Sequence, residues 1–326
     1  MKLYITVLLA TISASIIFFI ADYNRGLKQD YIDQNWDKFA NIRLSDFGST
    51  TAVSITPLVN WDAISEDYQT EAGVSYLVET DDYRILFDVG FNQNNAEHSP
   101  LMQNMERAGI EMDSIDGIFI SHAHRDHVGG IEWEKKKTFS IGARSPNISS
   151  KKLFLPKGMN YPLAKSLVNI DQPTVLVKGM ASTGLIARQL FMGRIDEQAL
   201  VVDLAGKGLV VIVGCGHQTL EKLLLRIKTA FGKPVYAIVG DLHFPVPNGR
   251  LKSLGIDLQR LFASGNGPFS PLTMSDIDAF EAQLNDNVKQ IALGGHDTSD
   301  YVLERFKTTF GDRFHRVRVG ETFHIK

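Results

Sequence analysis

Six consecutive residues, His122-Ala123-His124-Arg125-Asp126-His127, set three imidazoles and a carboxylate side by side. They follow the apolar run Ile118-Phe119-Ile120 and precede Gly129-Gly130. Neutral imidazole and ionised carboxylate are ligands for zinc-type ions, and the glycines let the backbone turn close to an ion. A single histidine would be read as an ordinary surface or core residue. Four such donors in six positions point to a metal pocket at a strand end.

The elements that must position this cluster are legible around it. From Thr51 onward, short β-type runs cover 52–58, 74–79 and 84–88, separated by turn-forming residues. A helix is expected over 99–108, then a strand over 117–121 that delivers the histidines. Ligands at the carboxyl end of such a strand are how open α/β layers build sites. Three later strands, near 208–211, 235–239 and 288–293, each end in a glycine-containing segment with a histidine: Gly214-Cys215-Gly216-His217, Gly240-Asp241-Leu242-His243 and Gly294-Gly295-His296-Asp297. The first of them pairs with 201–203 across Gly206-Lys207-Gly208 as a hairpin would. Helices are expected over 220–231, stopped by Gly232, and from an N-cap at Ser275 through 284. Residues 132–195 carry Pro146, Pro156, Pro162 and Pro173 and read as an insertion of loops and short strands over the site.

With 326 residues, 44% of them hydrophobic, the chain can bury one large core or two small ones. Its single cysteine, Cys215, rules out an intramolecular disulfide and a cysteine-based zinc finger, and reads as a small buried residue rather than a reactive thiol. A net charge of -3 argues against a broad nucleic-acid footprint, and Lys135-Lys136-Lys137 reads as a solvated loop. Residues 3–20 carry no charge. As a helix they would span about 27 Å, close to the roughly 30 Å hydrocarbon core. An uncleaved anchor is favoured over a cleaved signal, because Phe19-Ile20-Ala21 puts a bulky residue where a small one is needed. Residues 22–42 follow as a stalk, with Ile32, Trp36 and Phe39 at helical spacing and expected to pack on the domain. The expected division is 1–21 anchor or signal, 22–42 stalk and 43–326 catalytic domain.

Leu86-Phe87-Asp88-Val89-Gly90, together with 121–130, resembles the metallo-β-lactamase superfamily. Asp196-Glu197-Gln198-Ala199-Leu200, Gly208-Leu209-Val210-Val211 and Gly214-Cys215-Gly216-His217 resemble its dihydropterin ribofuranosylaminobenzene phosphate synthase-like branch. The resemblance runs from about Ser54 to the C-terminus. It implies an α/β fold, a four-layer αββα sandwich, to which the uncharged run 3–20 adds an expected N-terminal transmembrane helix. It also implies two metal positions, one held by His122, His124 and His217 and the other by Asp126, His127 and His296. The wider superfamily places a bridging carboxylate where Asp241 stands, while the branch has Gly-Gly-x-His with its histidine at His243. Asp241 as a ligand, and His243 as a ligand or substrate contact, are therefore both kept. Asp88 is implied to orient a ligand from behind, and Asp126 to take a proton during turnover. Asp297-Thr298-Ser299 departs from the branch's Cys-Thr-Gly. His98, His315 and His324 lie outside every motif and read as surface or packing residues.

The chemistry so implied is hydrolysis by a hydroxide activated between two divalent ions. Zinc is favoured by the histidine-rich ligands, with manganese and iron left open. Phosphate esters and phosphodiesters rank first as substrates, lactones or other cyclic esters second and β-lactams third. A noncatalytic, membrane-tethered metal-containing sensor is the competing class. Expected partners are a small-molecule ester and, through the N-terminus, a membrane with the domain on its extracytoplasmic side. No nucleic acid is expected.

Overall fold

Two seven-stranded sheets stack face to face in this computed structural model, which describes residues 2–36, 41–44, 46–144 and 147–326. The first sheet is built from β1 (Val53–Val59), β2 (Ser75–Glu79), β3 (Arg84–Phe87), β4 (Gly117–Phe119), β5 (Lys152–Pro156) and β6 (Ser166–Ile170) in spatial order. The chain then enters the second sheet with β7 (Thr174–Val177) and β8 (Met180–Ser182), and leaves it for a hairpin of β9 (Ile186–Leu190) and β10 (Gly193–Glu197). It returns through β11 (Leu200–Leu204), β12 (Gly208–Val213) and β13 (Val235–Gly240). A short hairpin, β14 (Lys252–Ser253) with β15 (Ile256–Asp257), precedes β16 (Val288–Leu293) and β17 (Phe314–Arg316). The last strand, β18 (Phe323–Ile325), crosses back to pair with β1. The second sheet thus has the order β17-β16-β13-β12-β11-β8-β7.

Side chains alternate across each strand, and the alternation sorts the core into three layers. Tyr76, Phe87, Phe119 and Phe154 of the first sheet meet Val202, Val210, Ile212 and Val239 of the second. The outer face of the first sheet, with Leu77, Leu86 and Ile118, is covered by Leu101 and Met105 of α2 (Pro100–Arg107) and Trp133 of α3 (Ile131–Lys135). The outer face of the second, with Val211, Ile238 and Ile291, is covered by α4 (Leu220–Ala230), α5 (Met274–Asn287) and α6 (Asp300–Phe310). Helix, sheet, sheet, helix is the expected αββα layering.

The Phe87 and Phe119 rings stack at 5.4 Å between the sheets, directly beneath the loop that begins at Ile120. Deleting a buried aromatic ring loses its transfer energy and leaves a cavity. Phe119→Ala is therefore expected to lower unfolding free energy by about 3–5 kcal/mol, read by urea denaturation.

Three local expectations are corrected. Residues 132–195 are not an insertion, because β5 and β6 extend the first sheet and β7 and β8 the second. Pro156 closes β5 and Pro173 precedes β7, so these prolines mark strand ends; Pro146 lies outside the described residues. Helix α5 is capped by Thr273, not Ser275: its hydroxyl accepts from the Asp276 N–H while the Asp276 carboxylate accepts from the Thr273 N–H. At the N-terminus, a single helix, α1 (Lys2–Gln34), runs through both the anchor and stalk intervals.

Among the described residues no helix is long and apolar enough to cross a membrane. The expected span 3–20 includes positions whose side chains lie outside the described set. Further along α1, Phe18 stacks on Phe191 at 5.7 Å, Gln29 accepts from the Gln189 N–H at 2.8 Å, and Ile32 is buried. Trp36 lies under the Arg226 guanidinium at 4.7 Å, so the stalk packs on the domain. Phe39 lies outside the described residues.

Candidate metal centre

The carboxyl ends of β3, β4, β12, β13 and β16 meet at one edge of the sandwich. They bring Asp88, the 121–130 loop, Cys215, His217, Asp241, His243, His296 and Asp297 together. β3 runs parallel to β4, and β12, β13 and β16 are mutually parallel, so these strands end on the same side. Gly129 shows why the loop after the histidines needs glycine. Its φ is +87°, and a Cβ there would lie 1.9 Å from the Ser140 carbonyl oxygen.

His122, His124, His127, His217, His243 and His296 form one connected cluster. Ring centroids lie 4.1 Å apart for His122 and His127, 5.0 Å for His124 and His217, 4.6 Å for His217 and His243, and 5.2 Å for His127 and His296. Three sets of donor atoms lie within 4.8 Å of one another: His122, Cys215 and His217; His127, Cys215 and His296; and His217, His243 and Asp297. Buried polar atoms are normally paired. Here His122 Nε2, both ring nitrogens of His217, His243 Nε2 and His296 Nδ1 are buried without a hydrogen-bond partner among the described residues. Orphaned nitrogens converging in this way fit a divalent cation.

Asp88 sets the orientation of two of these rings. Its Oδ1 accepts from the Ser121 N–H at 2.7 Å, and its Oδ2 accepts from the Ser121 hydroxyl at 2.6 Å and from His127 Nδ1 at 2.7 Å. Because the Ser121 proton is committed to Asp88, His122 Nδ1, 2.9 Å from Ser121 Oγ, must be the donor in that contact. Both rings therefore carry a proton on Nδ1 and turn Nε2 into the site. Burial works against a charge on His127, but the Asp88 carboxylate outweighs it and lifts the pKa to about 9. Burial and the neighbouring rings hold His122 and His217 well below their ordinary value, and burial brings His124 down to about 4. Those three are neutral imidazoles, the form that binds metal.

Sequence reasoning missed three residues as parts of the site. Glu197, at the end of β10, accepts through Oε1 from the Cys215 and Gly216 N–H groups, each at 3.0 Å, and through Oε2 from His217 N–H at 2.7 Å. It holds the loop that presents Cys215 and His217, and burial raises its pKa to about 7. Its place in the Asp196–Leu200 motif was the available signal. Cys215 is buried, as expected, but its Sγ lies 3.0 Å from His127 Nε2 and 3.4 Å from His296 Nε2. Asp297 Oδ2 is 3.1 Å from His243 Nδ1 and 3.4 Å from His296 Nε2. Adjacency to motif histidines was the only sequence signal for those two.

The two candidate carboxylates occupy different positions. Asp126 stands at the rim, its Oδ2 3.5 Å from His296 Nε2. Asp241 is fully buried; its Oδ1 accepts from the Asp297 N–H at 3.4 Å, its Oδ2 has no hydrogen-bond partner among the described residues, and it is not part of the three donor sets. Burial, reinforced by the charge of Asp297, pushes the Asp241 carboxyl well up. Burial also opposes the charge of Asp297, but His243 and His296 hold it well below the usual carboxylate range. His98, His315 and His324 are exposed.

Glu197→Gln keeps the side-chain shape but puts a donor where backbone N–H groups need an acceptor. Loss of such support costs metal sites about 10–100-fold in affinity. That weakening is expected for zinc, read by competition with a chromophoric chelator.

An open cleft of about 1090 Å³ lies over the cluster. Its floor includes His124, Cys215, His217, His296 and Asp297, and its walls include Trp61, Phe91, Trp133, Arg125, Arg194 and Arg250.

Residues 69–296 match the metallo-beta-lactamase superfamily, well over half of the chain. The chain belongs to that superfamily. Among curated relatives, the 7,8-dihydropterin-6-methyl-4-(beta-D-ribofuranosyl)-aminobenzene-5'-phosphate synthase of Methanocaldococcus jannaschii is 27% identical, over 85% of this chain and 98% of its own. It matches the branch whose motifs the sequence resembles. The anti-Pycsar protein Apyc1 of Bacillus phage 010DV004 is 35% identical over a shorter stretch, 27% of this chain and 35% of its own. Of solved structures, Tm1679, described as a metal-dependent hydrolase of the beta-lactamase superfamily, superposes with a TM-score of 0.58 at 21% identity, covering 84% of this chain and 99% of its own. YhfI from Bacillus subtilis, a metallo-beta-lactamase fold protein, gives 0.53 at 13% identity, over 84% and 100%. The chain is thus an enzyme, a metallo-beta-lactamase superfamily hydrolase, and the divalent metals usual for that superfamily, typically zinc, suit its histidine cluster.

Proposed function

We propose that this superfamily hydrolase cleaves a phosphate ester or phosphodiester with two divalent ions, zinc first among the choices. The observation that carries the reading is a histidine floor under a cleft whose walls hold Arg125, Arg194 and Arg250. Guanidinium groups suit the oxygens of a phosphoryl group. Arg250 is braced by Asp300 at 2.9 Å and lies 5.0 Å over the Trp61 ring, and Arg125 lies 5.9 Å from the Phe91 ring centre.

His122, His124 and His217 would hold one ion, and Asp126, His127 and His296 the other, with Asp241 or His243 as the further candidates. When bound, such ions make hydroxide available near neutral pH and polarise a phosphoryl oxygen. The chain's own groups supply the rest. Asp88 fixes two rings, the arginines orient the anion, and Asp126, partly exposed at the rim, can take a proton on its carboxylate. The aromatic walls, Trp61, Phe91 and Trp133, exclude water and cover the ester's organic part. The 5'-phosphate in the name of the M. jannaschii relative agrees with this substrate class.

The test is turnover of bis(p-nitrophenyl) phosphate, p-nitrophenyl phosphate and an acyl homoserine lactone by the zinc-loaded chain. The reading expects phosphate cleavage at least tenfold above lactone opening. Lactone opening without phosphate cleavage would replace it with the cyclic-ester reading.

We also infer a membrane tether at residues 3–20, with the domain on the extracytoplasmic side. Its support is the uncharged 18-residue run and the exposed Ile16, Ile17, Phe19 and Ile20 on α1. Retention in the membrane pellet after alkaline carbonate extraction is the expected result, and full release would end this inference.

A further inference from the structure

We propose that Cys215 is a direct metal ligand, its sulfur shared between the two ion positions. The proposal deepens the two-ion reading above and rests on it. Cys215 is the member common to two donor sets, one with His122 and His217 and the other with His127 and His296. Its Sγ therefore stands between the positions rather than beside one of them.

The Cys215–His296 separation is that of a coordination sphere, and the shorter Cys215–His127 contact is a hydrogen bond whose proton an ion would replace. With zinc–nitrogen near 2.0–2.1 Å and zinc–sulfur near 2.3 Å, a tetrahedral angle separates nitrogen from sulfur by about 3.5 Å. Cys215 Sγ is 3.4 Å from His296 Nε2 and 3.0 Å from His127 Nε2. The thiol also faces nitrogens that lack any other use. His122 Nε2 and both ring nitrogens of His217 have no hydrogen-bond partner among the described residues. Glu197 accepts from the Cys215 N–H and aims the residue from its backbone.

The position usually given to a bridging carboxylate is consistent with this. Asp241 lies outside the three donor sets, although its buried Oδ2 also lacks a hydrogen-bond partner among the described residues, so a thiolate joins rather than replaces the carboxylate as an anionic candidate there. Binding exchanges the thiol proton for the ions: the S–H bond breaks, sulfur–metal bonds form, and the proton leaves to solvent. A shared thiolate would tilt the site toward zinc and away from manganese, which prefers oxygen ligands.

Cys215 is the chain's one cysteine, so every thiol signal reports on it. The experiment loads the full chain with cobalt(II) and records its absorption spectrum, then repeats this with Cys215→Ser. In parallel, iodoacetamide alkylation of the unsubstituted chain is timed with and without zinc. The proposal expects a thiolate-to-cobalt charge-transfer band that Cys215→Ser lacks, at least tenfold weaker cobalt binding by the variant, and at least tenfold slower alkylation with zinc. Cobalt bound at the histidines without that band, or a thiol alkylated equally fast with zinc present, overturns the ligand assignment and leaves the metal reading intact. Failure of the folded, unsubstituted chain to bind cobalt or zinc overturns both. The unsubstituted chain's spectrum and alkylation decide the matter even if the variant misfolds.

Discussion

His217→Ala is expected to cut metal-dependent turnover about a thousandfold and to lower the number of ions retained after dialysis. His217 belongs to two of the three donor sets, and neither ring nitrogen has a hydrogen-bond partner among the described residues. Its removal takes away a ligand without breaking a hydrogen bond recorded for the ring. Metal polarisation is worth several kcal/mol at a transition state. At 1.36 kcal/mol per decade, about 4 kcal/mol corresponds to the thousandfold loss. Turnover within tenfold of the parent, with metal content unchanged, would remove His217 from the centre.

Asp88→Asn is expected to have the next largest effect, through rings that it holds. The carboxylate fixes His127 directly and His122 through Ser121. Losing such an orienting partner lowers metal affinity about 10–100-fold. It also changes the pH dependence of the metal-free protein. In the folded chain the His127 pKa is raised to about 9, against an unperturbed value near 6.5. A raised pKa means that the folded state holds the proton more tightly, so this stabilisation is complete below about pH 6.5 and fades as pH rises through about 9. The gap is worth about 3 kcal/mol. Metal-free Asp88→Asn should therefore be less stable than the parent by about that amount near pH 6, in addition to its lost hydrogen bonds. The His127 share of the difference should disappear above about pH 9. Urea denaturation at a series of pH values reads this, and a difference independent of pH would sink the linkage. Metal affinity carries the opposite sign: the ion must displace the His127 proton, so affinity in the parent should climb with pH up to about 9.

The fold was legible in the sequence wherever local pattern decided it. The strand ends before His122, His217, His243 and His296 could be read because alternating apolar residues stop at glycine and polar residues. The αββα layering came from the family resemblance, since no local signal says that β18 returns to β1 across more than 250 residues. The 132–195 region was misread because its strands are short and edge-like, with prolines at their ends, and only pairing with distant partners makes them sheet. The site followed the same division. Histidines announce themselves by type, so their convergence could be anticipated. Glu197 acts through three backbone N–H groups and Cys215 through where its sulfur points, and neither shows in residue type. Asp241 and Asp297 look equivalent in sequence. The turns after β13 and β16 bury one outside the three donor sets and set the other within one of them.

The account turns on whether ions sit at these nitrogens, and the most direct measurement is the anomalous zinc signal from a crystal of the metal-loaded protein. Two peaks about 3.5–4 Å apart are predicted. One should lie against His122, His124 and His217, and the other against His127 and His296. A single peak away from these rings, or none in a folded and active protein, would contradict the two-ion centre.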